Sequence, residues 1–228
     1  MPRIGVITGT NREAACLGSL TNSDNVVVMC SGANAVTARQ RATHALSSGC
    51  DALLSFGLAG GLDPDLRSGT LVLATSVISS DGRQGDVNGD WRTAVASTLE
   101  ASGLAFVSGP VVGVDAPVVD PEPKRLLHGG TGGIAVDMES HAVMEAANGA
   151  GVPWLVLRAV ADTAHESLPD LAMETIGPDG SVRAGALAAR LLRHPSDMAE
   201  LFNLWRASRP GFAALGRVAA LPGLCRPL

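Results

Sequence analysis

The sequence is informative first for what it lacks. Its four cysteines, Cys16, Cys30, Cys50 and Cys225, are scattered singles with no Cys-x-x-Cys pair, so neither a zinc site nor a disulfide framework is suggested. No apolar run approaches the roughly 18 residues needed to cross a bilayer. The chain enters its first apolar run at Ile4 with no secretory h-region before it, and a cytoplasmic location is the expectation. An excess of basic charge is missing too: the formal net charge of −5 gives no support to a nucleic-acid partner. No strand leads into Gly-x-Gly-x-x-Gly and a helix, which argues against a dinucleotide-binding oxidoreductase. His44 has no acidic or cysteine neighbour at ligand spacing, and Asp86 to Asp90 lacks the closing glutamate of a calcium loop, so no metal is expected.

What is present is a chain of 228 residues, 46% hydrophobic and 17% charged, which is the composition of a compact folded protein. Ile4–Ile7, Asn25–Met29, Asp51–Phe56, Thr70–Ile78, Phe106–Val114 and Trp154–Ala161 have the length and apolar content of strands. Helical spacing follows several of them, notably Ala38, Ala42, Ala45 and Leu46, and again from Trp91 to Ala101. Ser79 to Asp90 reads as a solvated loop and Gly129–Gly133 as a connector. Neither a linker nor an internal repeat interrupts the chain, so residues 1–228 are expected to form a single α/β domain. Helical patterns at 184–192 and 196–207 begin its end, with 195–228 as a helical C-terminal tail.

The stretch from Ile134 to Thr163 organises the rest. A short strand at 134–136 opens into a helix, Gly149 and Gly151 stop it, and an apolar strand after Pro153 delivers Asp162 at its end. Glu139 and Asp162 both fall at strand ends, where ligands sit in open α/β sheets. Two carboxylates converging on one crevice would serve an enzyme, although either alone is equally a cap or a solvated loop acid. Arg158, set inside an apolar strand, requires a carboxylate or carbonyl partner, and we expect it to organise the site or a subunit interface. Thr8-Gly-Thr-Asn-Arg-Glu13 is a strand-to-helix turn that points backbone N–H groups at whatever binds there, or is simply a connection.

Val136-Asp-Met-Glu-Ser140 followed by Leu157-Arg-Ala-Val-Ala-Asp162 resembles the signature pair of the nucleoside phosphorylase and methylthioadenosine/S-adenosylhomocysteine nucleosidase superfamily. The resemblance implies a three-layer α/β/α fold around a central mixed, mainly parallel sheet. It implies that Met138 and Glu139 grip a ribose, that Asp162 protonates a purine leaving group, and that Glu13 activates water. Pro117 and Val118 fall where the family makes its apolar and backbone contacts to the base. Gly9, Arg12, Gly57, Ala59 and Gly60 would line the pocket for water or phosphate. Phosphorylases of the hexameric type put an arginine and a serine where this chain has Ser55 and Leu58. Phosphate as a co-substrate would therefore need another residue such as Arg12, and no other cofactor is implied. A homo-oligomer, dimeric or larger, is the expected assembly.

A narrower likeness comes from Gly57-Leu-Ala-Gly-Gly-Leu-Asp-Pro64, Asp137-Met-Glu-Ser-His-Ala-Val143, Ser167-Leu-Pro169 and Gly177-Pro-Asp-Gly180. These resemble the hopanoid-associated phosphorylases of bacteria, which implies adenosylhopane as substrate and adenine as product. The tail combines Trp205, Phe212, Leu215 and Leu221 with Arg206, Arg209, Arg217 and Arg226. It suits a peripheral contact with the inner face of a membrane, or a segment docked on its own domain. Cleavage of adenine from a 5′-substituted adenosine, by hydrolysis or phosphorolysis, is the leading reading. The alternatives are a methylthioadenosine/S-adenosylhomocysteine nucleosidase or a general purine nucleoside phosphorylase and, from another class, a non-catalytic nucleoside-binding module.

Overall fold

The computed structural model describes residues 2–168, 181 and 197–226. Strand β1 (Ile4–Thr8) is buried throughout and leads through Thr10 into a short helix α1 (Asn11–Cys16). A 3₁₀ turn (Gly18–Asn22) precedes β2 (Val26–Cys30), a partly exposed strand. Helix α2 (Ala35–Ser47) starts where Asn34 Oδ1 accepts the Thr37 N–H at 3.0 Å, and it buries Ala35, Ala38, Ala42 and Ala45. Strand β3 (Ala52–Gly61) and strand β4 (Leu71–Ser79) are almost wholly interior. The stretch expected as a solvated loop folds back as β5 (Gln84–Asp86), antiparallel to β4. Helix α3 (Gly89–Ala101) is capped by Asn88 and buries Trp91, Val95 and Leu99, and β6 (Phe106–Gly113) follows.

Helix α4 (Pro121–Thr131) was hidden from the sequence reading. Pro121 suits the first turn, where its missing N–H has no partner to lose. Gly129, Gly130 and Thr131 form its last turn instead of a connector, and Gly132, at φ 69°, ends it. Then come β7 (Ala135–Asp137), α5 (Ser140–Ala150), β8 (Trp154–Asp162) and α6 (Asp197–Ala219). Helix α5 runs through Gly149 and stops at Gly151, φ 66°.

The eight strands form one mixed sheet in the order β2-β1-β3-β7-β6-β4-β5, with β8 paired to both β3 and β4. Its pairings are mainly parallel; β3–β7, β4–β5 and β4–β8 are antiparallel. Because β3 pairs with β7 and β8, β8 with β4, β4 with β6, and β6 with β7, these five strands close into a ring. Strands β1 and β2 extend from it as a spur. The architecture is thus α/β with helices around a central mixed sheet. Its main core takes in residues from β1 to the last helix, from Ile4 through Leu215 to Cys225.

The C-terminal helix docks on its own domain. Ala214, Leu215, Val218 and Leu224 are buried, and Leu221 packs partly against the same core. Trp91 Nε1 donates to the Leu224 carbonyl at 2.9 Å, and Ser68 Oγ donates to that of Ala207. Leu215 is therefore a core residue and unavailable to a lipid, while Arg206, Arg209, Arg217 and Arg226 are exposed. No described helix is long and apolar enough to cross a membrane. The helical pattern at 184–192 and the Gly177–Gly180 turn lie outside the described residues.

Candidate active site

Local rules bring four acidic groups to the ends of these strands. Asp137 closes β7, and its Oδ1 accepts the N–H groups of Glu139 and Ser140 at 3.0 and 2.8 Å. That turn directs Glu139 inward at the start of α5. Glu13 is the third residue of α1 in a capping box: Thr10 Oγ1 accepts the Glu13 N–H, and Glu13 Oε2 accepts the Thr10 N–H at 2.6 Å. Its other oxygen, Oε1, accepts the Leu58 N–H at 2.7 Å, which ties α1 to β3. Asp162 is the last residue of β8.

Glu13 and Glu139 meet at Gly9. A Cβ built there would lie 3.0 Å from Glu13 Oε2 and 3.0 Å from Glu139 Oε1, so the two carboxylates share one small space. Gly57 explains itself in the same way. A methyl group there would stand 2.6 Å from Glu13 Oε1 and 2.7 Å from Arg158 Nη1, closer than real contacts allow. Gly60 faces the third acid, with its notional Cβ 3.3 Å from Asp162 Oδ2. Ala59, between them, is buried. Glycines in β3 thus clear the backbone wall between the Glu13–Glu139 pair and Asp162. In an unbroken register Gly61 would lie opposite Asp162, but the pairing shifts after Ala59 and sets Gly60 there.

Arg158 makes the carboxylate cluster tolerable. It is fully buried, with Nε 2.7 Å from Asp137 Oδ2 and Nη2 3.6 Å from Glu139 Oε2, and Nη2 donates to Ser55 Oγ at 2.6 Å. Its partner is thus the carboxylate set that the sequence required. Ser31, missed by the sequence reading, donates from Oγ to Glu139 Oε1 at 3.2 Å. It is delivered by a turn in which Gly32 and Ala33 are both left-handed, at φ 70° and 52°. Burial pushes Glu139 up to about 8, against the pull of Arg158 and with the repulsion of Asp137 and Glu13 added. Glu13 is also raised, chiefly by burial, against the Leu58 N–H and Arg158.

At the other end Asp162 is buried, and Lys124 Nζ lies 2.6 Å from its Oδ2. Burial raises Asp162 and Lys124 opposes that rise. Lys124 was not anticipated. A signal was there: it is the single lysine among 17 basic residues, but the helix that carries it was not recognised. Beside Asp162, a separate apolar cluster of Leu62, Val112, Val114 and Val136 has Val118, Leu127 and Met138 packed against it. Val118 and Met138 therefore share one wall, with Val136 reaching Gly60. Pro117 is exposed and is not among the residues of that wall.

Arg12 and Leu58 are both engaged by the last helix. The Arg12 guanidinium lies 3.9 Å from the centre of the Phe212 ring, and a Cβ on Gly211 would meet Leu58 Cδ2 at 2.8 Å. Ser55 is taken up by Arg158. Among the described residues no grouping of His, Cys, Asp and Glu has the geometry to hold a metal ion.

The model of the phosphorylase superfamily matches residues 4–193. The chain belongs to that superfamily. A 5′-methylthioadenosine/S-adenosylhomocysteine nucleosidase of Mycobacterium tuberculosis is 27% identical over 154 residues, 51% of this chain and 60% of the mycobacterial protein. The chain thus spans about three-fifths of the length of the curated relatives it matches. Among solved structures, a mutant Helicobacter pylori nucleosidase with 5′-methylthioadenosine in its active site superposes with a TM-score of 0.71 at 19% identity, covering 96% of this chain and 98% of that one. The futalosine hydrolase of Helicobacter pylori gives 0.69 at 19% identity, covering 86% and 98%. At such identities these likenesses speak for the fold of this superfamily member, and the site must argue its own chemistry.

Proposed function

We propose that this superfamily member cleaves the N-glycosidic bond of a 5′-substituted adenosine and releases adenine, with water as the nucleophile. The observation that carries the reading is the meeting of Glu13 and Glu139 at Gly9, just past β1, with Asp162 facing Gly60 on the neighbouring strand β3. Breaking this bond leaves positive charge on the sugar and negative charge on the base. Glu139 accepts hydrogen bonds from the ribose hydroxyls, and as positive charge develops on the sugar it is drawn into its ionised form, which stabilises that charge. Met138 and Val118 offer the apolar wall for the sugar and base, a setting that favours a flat heterocycle. Glu13, a stronger base for being buried, takes a proton from water. Asp162 gives its proton to the purine as the base departs.

Water is favoured over phosphate by three side chains. Ser55 is bonded to Arg158, Leu58 is apolar and packs on α6, and the Arg12 guanidinium is stacked on Phe212. For the 5′ substituent, the motif likeness around Gly57–Pro64 supports adenosylhopane, and the nucleosidase relatives support methylthioadenosine. A homo-oligomer belongs to this reading on family resemblance. The docked last helix leaves a peripheral membrane contact to exposed arginines rather than to Leu215.

The deciding experiment incubates the protein with methylthioadenosine and with adenosylhopane, each with and without phosphate, and identifies the sugar product. Release of adenine with a free ribosyl product, unchanged by phosphate, is expected. Strict phosphate dependence with a ribose-1-phosphate product would replace hydrolysis by phosphorolysis. No adenine from either substrate would favour the non-catalytic nucleoside-binding alternative.

A further inference from the structure

Lys124 is fully buried although it is charged, an arrangement that folding tolerates only where the ammonium is completely partnered. Its three N–H donors are all used: Asp162 Oδ2 at 2.6 Å, the Thr163 carbonyl at 2.9 Å and the Glu166 carbonyl at 2.7 Å. The ammonium therefore does two things from one point in the first turn of α4. It fixes the Asp162 carboxylate, and it gathers the segment that follows β8 around that carboxylate. The Leu168 N–H, donating to the Val119 carbonyl at 2.8 Å, extends the same seam to the loop beside Val118. An apolar helix residue with one hydrogen-bonded neighbour would hold a chain in place at less cost. A buried cation aimed at the acid calls for an electrostatic reason.

We propose that Lys124 is a positioning residue for the leaving-group step: it orients Asp162 and stabilises the carboxylate that forms as Asp162 gives its proton to the departing purine. The inference rests on the reading of Asp162 as the leaving-group acid. The step balances without an added reactant. The Asp162 O–H bond breaks as N7–H forms, and the electron pair of the C1′–N9 bond leaves with the base. The water oxygen bonds to C1′ while its proton passes to Glu13. Glu13 ends protonated and Asp162 ionised, and exchange with solvent restores both.

Two charged groups face Asp162: Lys124 from α4, which favours the anion, and Glu166 from the following segment, which opposes it. Across the carboxylate, β3 and β7 present Gly60 and Val136 among the described residues. Burial alone would make Asp162 a weaker acid, more reluctant to donate its proton. The neighbouring ammonium counteracts that reluctance. Turnover that requires protonated Asp162 is lost as pH rises through its titration, so removing the ammonium must move this loss to higher pH.

The test compares wild type, Lys124→Gln and Lys124→Arg by adenine release from methylthioadenosine and adenosylhopane across pH 5 to 10. In Lys124→Gln the basic limb of kcat is expected to rise by on the order of one pH unit, with kcat reduced at least tenfold and KM little changed. Lys124→Arg keeps the charge and should keep the limb near its wild-type position. If Lys124→Gln lowers kcat but leaves the limb where it was, Lys124 is merely structural and the proposal fails while the proposed function stands. If wild type releases no adenine from either substrate, the proposed function fails first and this role with it. A measurement on the unaltered protein covers a variant that does not fold. As the only lysine, Lys124 gives one ¹⁵Nζ resonance. That resonance should shift with the same midpoint as the kcat limb, and one that ignores the limb overturns the proposal.

Discussion

At the scale of single residues, the site is a set of carboxylates whose charges are held in check by two buried cations. Asp162→Asn keeps the shape of the side chain and removes the proton that the proposed leaving-group step requires. Turnover should fall by roughly two orders of magnitude or more with substrate binding much less affected, as single-turnover and binding measurements would show. Near-wild-type turnover would remove Asp162 from the leaving-group role. Glu139 makes a different kind of claim. Its carboxyl is raised from 4.5 to about 8, chiefly by burial. Between those values the folded protein holds a proton that the unfolded chain has released, so stability must fall as pH rises through that window. Urea midpoints measured from pH 5 to 8 should therefore drop less steeply in Glu139→Gln than in wild type. On the proposed reading, the same variant should lose most of its preference for adenosine over 2′-deoxyadenosine substrates, because an amide cannot ionise to meet the 2′-hydroxyl as the developing cation forms. Equal slopes and an unchanged preference would separate Glu139 from both effects.

At the scale of elements, legibility followed apolar patterning. Strand β8 and helix α5 were plain because long apolar runs end in glycine stops, and the paired carboxylates stood at the ends of such runs. Glu13 was placed by its family position, and the capping box with Thr10 is the local reason it turns inward. Helix α4 was not plain, since prolines at 121 and 123 and glycines at 129 and 130 resemble loop chemistry. Missing that helix meant missing Lys124, because a lysine without an element has no direction. Ser31 was equally invisible, as it depends on two consecutive left-handed residues that only tertiary contact supports. The tail shows the opposite case. Its apolar residues and arginines fitted a lipid surface or a docked helix equally well, and only packing separates these. With Ala214, Leu215, Val218 and Leu224 buried, truncation after Ala207 strips several core side chains. Burying a Leu or Val is worth roughly 1.5–3 kcal/mol, so the loss rivals the about 5–15 kcal/mol that holds a domain folded. The shortened protein should aggregate or lose its cooperative thermal transition. A soluble, cooperatively folding truncation that cleaves adenosines normally would return the tail to the membrane.

At the scale of the whole molecule, the site straddles two parts of unequal restraint. Glu139 and Asp162 stand at the ends of strands inside the closed ring, while Glu13 and Ser31 follow β1 and β2 on the spur. Strand β2 pairs with β1 alone among the described strands and is partly exposed along most of its length. Ring strands have hydrogen-bonded neighbours on both sides, so their backbone amides should resist exchange until the whole molecule opens. The amides of β2 should exchange first, through a local opening that needs far less free energy. Such an opening would carry Ser31 away from Glu139 and loosen the wall behind Glu13, the proposed water-activating group, while the ring stays intact. In mild denaturant, then, adenine release should fail at a lower concentration than the far-ultraviolet signal, and the two curves should merge at a variant that pins β2 to β1. On the proposed function, catalysis in this molecule has a shorter lifetime than its fold.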